Sequence, residues 1–199
     1  MKLNLSKFFQ ARSNVVLFRK LPGSVSYVYM QLIGKLYYLV KRKEKRLIEK
    51  NIRDLLGNKS EKHIREITRQ TFKGIFAHYF EKMFSAFKDV SQIRRFVNMK
   101  FNIQNEDAIK DALALGKGVI LVTAHWGAVE FIPWVLGFRD YPISVIVECQ
   151  TKQLEHALSR QAKHINAELL CNSEDASVFF RAVSSLKKNR LLMTECDEV

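Results

Sequence analysis

Between residues 60 and 84, apolar side chains return every three or four positions: Ile64, Ile67, Phe72, Ile75, Phe76, Tyr79 and Met83. That spacing predicts a long amphipathic helix, with Ser60 as its N-cap. Residues 85–104 read as a connector carrying one amphipathic patch. From Glu106 the rhythm changes. A short helical stretch, EDAIKDALAL, stops at Gly116, and the unbroken run Val119-Ile120-Leu121-Val122 follows. Similar short apolar runs recur at Ile143–Val147, Leu169–Cys171 and Leu191–Met193. Helical patterns fill the intervals at about 128–137, 152–165 and 174–188. Short buried strands alternating with helices predict an α/β fold. Its largely parallel sheet would use strands near 119–124, 143–148, 168–172 and 190–195, flanked by helices.

The amino-terminal part has another character. Residues 24–40, SVSYVYMQLIGKLYYLV, are mostly apolar, and Lys41-Arg42-Lys43-Glu44-Lys45-Arg46 follows at once. Seventeen residues is the lower end of a membrane span, and Gln31 and Lys35 interrupt it. No small-residue cleavage site follows, which argues against a removed leader. Tyr and Lys beside an apolar helix suit one lying in the membrane interface. A single marginal span with its basic end in the cytoplasm, and a core helix with a solvated basic end, are the other readings. This divides the chain into an N-terminal membrane-associating segment, 1–50, and an α/β domain, 51–199.

Charge sharpens the division. The net charge is +13, but residues 1–70 hold 17 Lys/Arg against 5 Asp/Glu, whereas residues 71–199 hold 16 against 15. A basic arm suits a polyanion, either nucleic acid or anionic headgroups. No nucleic-acid motif is present, neither zinc-finger spacing nor the aromatic signature of an RNA-binding sheet. The 3 Cys residues, Cys149, Cys171 and Cys196, are odd in number and widely spaced, so neither a disulfide framework nor a thiolate zinc site is indicated.

In open α/β sheets, function collects at the carboxyl ends of the strands. The first strand runs into Thr123-Ala124-His125-Trp126-Gly127-Ala128-Val129-Glu130, and the last into Thr194-Glu195-Cys196-Asp197. His125 thus sits at a strand end, with Glu130 about one turn into the next helix. A carboxylate on one ring nitrogen would leave the other to take a proton from a hydroxyl. The alternative is a satisfied, partly buried histidine and a surface glutamate. No Ser or Cys stands beside His125, so the substrate would bring the hydroxyl and no acyl-enzyme is expected. The 5 His residues are scattered, and no metal or cofactor is implied.

GKGVILVTAHWGAVEF resembles the signature of the lipid A biosynthesis lauroyl/myristoyl acyltransferase family, a strand followed by Thr-Gly/Ala-His-aromatic-Gly-x-x-Glu. EKNIRDLLGNKSEKHIREITRQTFKGIFAHYFEKMF is similar to that family's amino-terminal helices. LEHALSRQAKHINAELL resembles the region of its substrate-site arginine. SLKKNRLLMTECDEV resembles the strand that ends in an aspartate. The likeness runs from about residue 20 to the end. It implies a glycerol-3-phosphate acyltransferase-like fold with His125 as general base and Glu130 as its orienting carboxylate. It also implies substrate-binding roles for Arg160 and Asp197, with Glu195 a competitor for the latter. At Arg160 the sequence departs from the family, lacking the usual glycine four residues later. Family members run longer, so the resemblance further implies missing strands and helices after residue 199 and an open sheet edge.

The expected reaction is acyl transfer from an acyl carrier protein or CoA thioester to a hydroxyl of a lipid A precursor or related membrane glycolipid. It would occur at the cytoplasmic face of the bacterial inner membrane, on a peripheral or single-span protein. Alternatives are transfer to another membrane lipid, such as a phosphoinositide mannoside or an amino-acid lipid, and a non-enzymatic basic protein binding membrane or nucleic acid.

Overall fold

The computed structural model describes residues 5–57, 59–149, 151–171 and 177–197. The chain divides into two compact units, Lys20–Lys82 in one and Met1–Arg19 with Met83–Val199 in the other.

In the first unit, α3 (Gly23–Val40) and α4 (Arg42–Leu56) precede most of α5 (Glu61–Phe87). One face of α3 is buried through Ser26, Met30 and Gly34. Its aromatic neighbours meet α5 edge-on: Tyr27 with Phe80 at 5.3 Å and Tyr38 with Phe72 at 5.2 Å between centroids. Gly34 permits this approach, because a Cβ there would lie 2.7 Å from the Phe76 ring. The opposite stripe of α3, including Val28, Leu32, Leu36 and Leu39, is exposed. Among the described residues no helix is long and apolar enough to cross a membrane.

The second unit contains α1 (Leu5–Phe9), α2 (Arg12–Lys20, all but its last residue) and the sheet. Its strands, β1 (Val119–Thr123), β2 (Ile143–Val147), β3 (Ala167–Cys171) and β4 (Leu191–Glu195), are parallel in the order β1-β4-β2-β3. All four fall where the apolar runs predict. Ile143, Val145, Leu191 and Met193 form one buried face with Val129, Leu136 and Tyr141. Leu170 and Leu192 form the other with Ala182 of α10 (Ser177–Lys187). The predicted start of that last helix at 174–176, and residue 172 of the third strand, lie outside the described residues.

Two expectations need correction. The supposed connector at 85–104 is largely α6 (Val90–Lys100), which buries Ile93 and Val97. Ile93, Phe96 and Val97 share one helical face, which is the amphipathic patch expected in this interval, but the patch is part of a regular helix and not of a connector. The predicted helix at 128–137 begins as a 3-10 turn, Val129–Phe131, and becomes α8 only over Ile132–Gly137. Pro133 in the first turn of α8 explains the late start, since its missing N–H and fixed φ suit an N-terminal position.

The amino edge of the sheet is tied by Arg190. Its guanidinium donates to Ser144 Oγ at 2.8 Å, the Ile143 carbonyl at 2.6 Å and the Asn166 carbonyl at 2.8 Å. The starts of β2, β3 and β4 are thereby fixed together, which sets the height at which the strands end on the opposite edge.

Candidate active site

β1 and β4 are neighbours in register, Val119 opposite Leu191 through Thr123 opposite Glu195. Their pairing continues one step past the strands, where the Cys196 N–H donates to the Thr123 carbonyl at 3.0 Å. The segments after Thr123 and Glu195 therefore leave the sheet side by side. Adjacent strands lie about 4.8 Å apart, so side chains on these two exits are within reach of each other.

His125 and Asp197 use that proximity. The His125 backbone N–H donates to Asp197 Oδ2 at 2.8 Å, and ring Nδ1 lies 3.1 Å from Oδ1. On the other side of the ring, Nε2 lies 3.2 Å from Glu195 Oε2. The backbone N–H of His125 holds the Asp197 carboxyl below its ordinary range, outweighing desolvation, and the ring adds a smaller lowering effect. The imidazole is bracketed by two carboxylates, Asp197 at Nδ1 and Glu195 at Nε2. With its single proton on Nδ1 donated to Asp197, the ring would direct the Nε2 lone pair toward Glu195. All three side chains are partly exposed at the carboxyl edge.

The backbone turn after His125 depends on Gly127, whose φ is +61°. A Cβ at Gly127 would meet no atom within 4 Å, so the requirement is conformational and not a matter of space. Trp126, between His125 and that glycine, is 88% exposed. Beyond the turn, Phe131 anchors the chain in a ring cluster with Phe84, Phe96 and Phe101.

Glu130 lies in the 3-10 turn, half-buried, and its backbone carbonyl accepts the Ser85 hydroxyl at 3.4 Å. Arg160 is exposed in the last turn of α9 (Lys152–Ala162). That helix starts at the carboxyl edge and runs back along the sheet, so Arg160 stands about 12 Å along its axis from the end that begins beside the site. The structure therefore brings His125, Asp197 and Glu195 together, and sets Arg160 toward the other edge.

One grouping escaped the sequence reading. Cys149 and Cys171, far apart in the chain, are hydrogen-bonded at the ends of β2 and β3, with Glu155 alongside. Burial, then the Glu155 charge, pushes the Cys171 thiol up. A thiol so placed is a poor nucleophile. Strand pairing makes this contact, Val147 lying opposite Cys171, and nothing in the cysteine spacing signals it. Among the described residues no group of three or more His, Cys, Asp or Glu side chains could hold a metal ion.

No curated protein matches the chain. The model of the bacterial lipid A biosynthesis acyltransferase family matches residues 8–199, nearly the whole length and including the His125 strand end, and the chain belongs to that family.

Proposed function

We propose that the chain moves a fatty acyl group from a carrier-protein or CoA thioester to a hydroxyl of a lipid A precursor or a related membrane glycolipid. The observation that carries the reading is the strand-end histidine held through both its backbone and its ring by Asp197.

In this mechanism His125 Nε2 takes the proton of the acceptor hydroxyl while its oxygen attacks the thioester carbonyl. The tetrahedral intermediate then collapses, the C–S bond breaks, and the imidazolium returns the proton to the departing thiolate. A carboxylate on Nδ1 keeps the proton there and stabilises the imidazolium, the part an acid plays in a catalytic triad. Asp197 has the contact for that part, while Glu130 occupies the position that the family signature gives to an orienting carboxylate. Glu195 lies on the path by which a hydroxyl reaches Nε2, so it exchanges its contact for the acceptor as the acceptor binds. Arg160 serves the acceptor's charge away from the reacting atoms. Backbone N–H groups of the turn after His125 are the nearest supply for the developing oxyanion.

The reaction is placed at a membrane surface, with the exposed stripe of α3 laid into it and the cations from Lys41 to Arg46 at headgroup level. Transfer from a carrier-protein thioester to a lipid A precursor, followed for wild type and His125→Ala, tests the proposal. The variant should lose about 10²–10⁴-fold in rate. Ordinary transfer by His125→Ala would end the general-base reading.

A further inference from the structure

At the corner where α3 gives way to α4 there is an open cavity of about 340 Å³, lined by Tyr38, Leu39, Arg42, Lys45, Arg46 and Glu49. Three of those side chains are cationic and one is anionic. Lys45 Nζ lies 4.4 Å from the Tyr38 ring centroid and 3.9 Å from Glu49 Oε1, so that cation is already engaged by both a ring and a carboxylate. Arg42 and Arg46 are exposed and four residues apart on α4, hence on one face of it. They present two guanidinium forks to the same opening.

The cavity has an apolar continuation. On α3, Val25, Val28, Leu32, Leu36 and Leu39 follow at helical spacing and all are exposed, Leu36 at 62% and Leu39 at 61%. Leu39 belongs to both the stripe and the cavity wall. A charged recess with a hydrocarbon track leading out of it matches an amphiphile with an anionic head.

We propose that this corner is a binding site for the headgroup phosphate of an anionic glycerophospholipid. The phosphate lies between Arg42 and Arg46, and the acyl chains lie along the α3 stripe. Guanidinium pairs suit a phosphate because their N–H groups match its oxygens two at a time. A volume of this order lies in the range of small-ligand sites. The apolar stripe favours lipid over a polynucleotide, whose backbone would leave that surface wet. This inference rests on the membrane-surface reading and goes beyond it, because a diffuse positive field would attract any anionic bilayer without a defined site.

The test is sedimentation of the whole chain with phosphatidylcholine vesicles, with and without phosphatidylglycerol. One variant carries Arg42→Gln, Lys45→Gln and Arg46→Gln; a charge-matched control carries Lys43→Gln, Lys50→Gln and Lys62→Gln, all exposed in the same unit. Wild type should prefer the phosphatidylglycerol vesicles and release them as salt rises. The cavity variant should lose roughly tenfold in partition and the control clearly less, because only the first removes the paired forks. A third variant, Leu36→Ser with Leu39→Ser, should weaken vesicle binding with no change in charge. Circular dichroism melts of all three guard against a loss that is only unfolding, and the contrast between the two triple variants is read on those that melt as wild type does.

Equal losses in the two triple variants would overturn the site while leaving membrane association intact. Failure of wild type to prefer anionic vesicles would overturn both. Binding of inorganic phosphate that the cavity variant abolishes, with vesicle binding unchanged, would identify a free-phosphate site and overturn the lipid assignment. Tighter binding of duplex DNA than of vesicles, lost in the cavity variant, would overturn it in favour of nucleic acid.

Discussion

Asp197 grips His125 at two points, accepting from its backbone N–H at 2.8 Å through one carboxylate oxygen and lying 3.1 Å from ring Nδ1 through the other. Of the two, the backbone contact does more to lower the carboxyl's proton affinity. A depressed carboxyl contributes to the folded state above its unfolded value, about 3.9, and that contribution disappears as the pH falls through the lower folded value. An NMR titration of the Asp197 carboxyl should therefore show a midpoint below the ordinary range. In His125→Ala the midpoint should remain depressed, because the backbone N–H survives the substitution. Its return to an ordinary value would mean that the ring, not the backbone, is the dominant partner.

The two carboxylates at the ring should differ in their effect on turnover. Asp197→Ala removes both the ring partner and the anchor of the His125 backbone, and should cost roughly 10² in kcat, the lower part of the range for losing a general base. Glu195→Ala removes a contact that the acceptor hydroxyl itself replaces in the mechanism, and should cost markedly less in kcat. Steady-state kinetics of the two variants decide the matter; a larger kcat loss for Glu195→Ala would assign the orienting role to Glu195.

Gly127→Ala should be costly without any steric clash. Its φ of +61° is a left-handed conformation that a Cβ disfavours by ~1–2 kcal/mol. Chemical denaturation should register that amount. Transfer activity should fall further than stability, since the turn carries His125. Unchanged stability would mean that the turn readily takes another conformation.

Arg190→Ala should destabilise the sheet without touching the site. It strands Ser144 Oγ, which is fully buried, and removes charge-assisted bonds to two carbonyls. Loss of a bond to a charged group costs roughly 1.5–3 kcal/mol. A denaturant midpoint equal to wild type would show that the loops at the amino edge hold themselves.

The strands were legible because each is a short β-branched or leucine-rich run, from Val119-Ile120-Leu121-Val122 to Leu191-Leu192-Met193. β2, β3 and β4 bury residues of theirs, while β1 at the end of the order is legible by its composition alone. His125 was legible for the same reason, standing two residues past a strand end. α6 was legible only as an amphipathic patch, because its inward side chains Ile93, Phe96 and Val97 span little more than one turn. The pairing of His125 with Asp197 through the backbone was not legible. That contact follows from β4 inserting beside β1, and strand order leaves no trace in local periodicity. The same holds for Cys149 and Cys171, which become neighbours only because β2 and β3 are adjacent.

β1 occupies one end of the strand order and pairs only with β4 among the described strands, with Ile120 and Val122 exposed on its flank. It carries the histidine, whereas β4 carries both carboxylates. A fluctuation that peels β1 from its single neighbour would part the base from Asp197 and Glu195 in one event. The pieces of the site would then not fail one at a time. Amide hydrogen exchange along residues 119–123 should report the fraction of molecules competent for turnover, and a substitution that loosens only this strand should lower activity in proportion while the rest of the sheet keeps its protection.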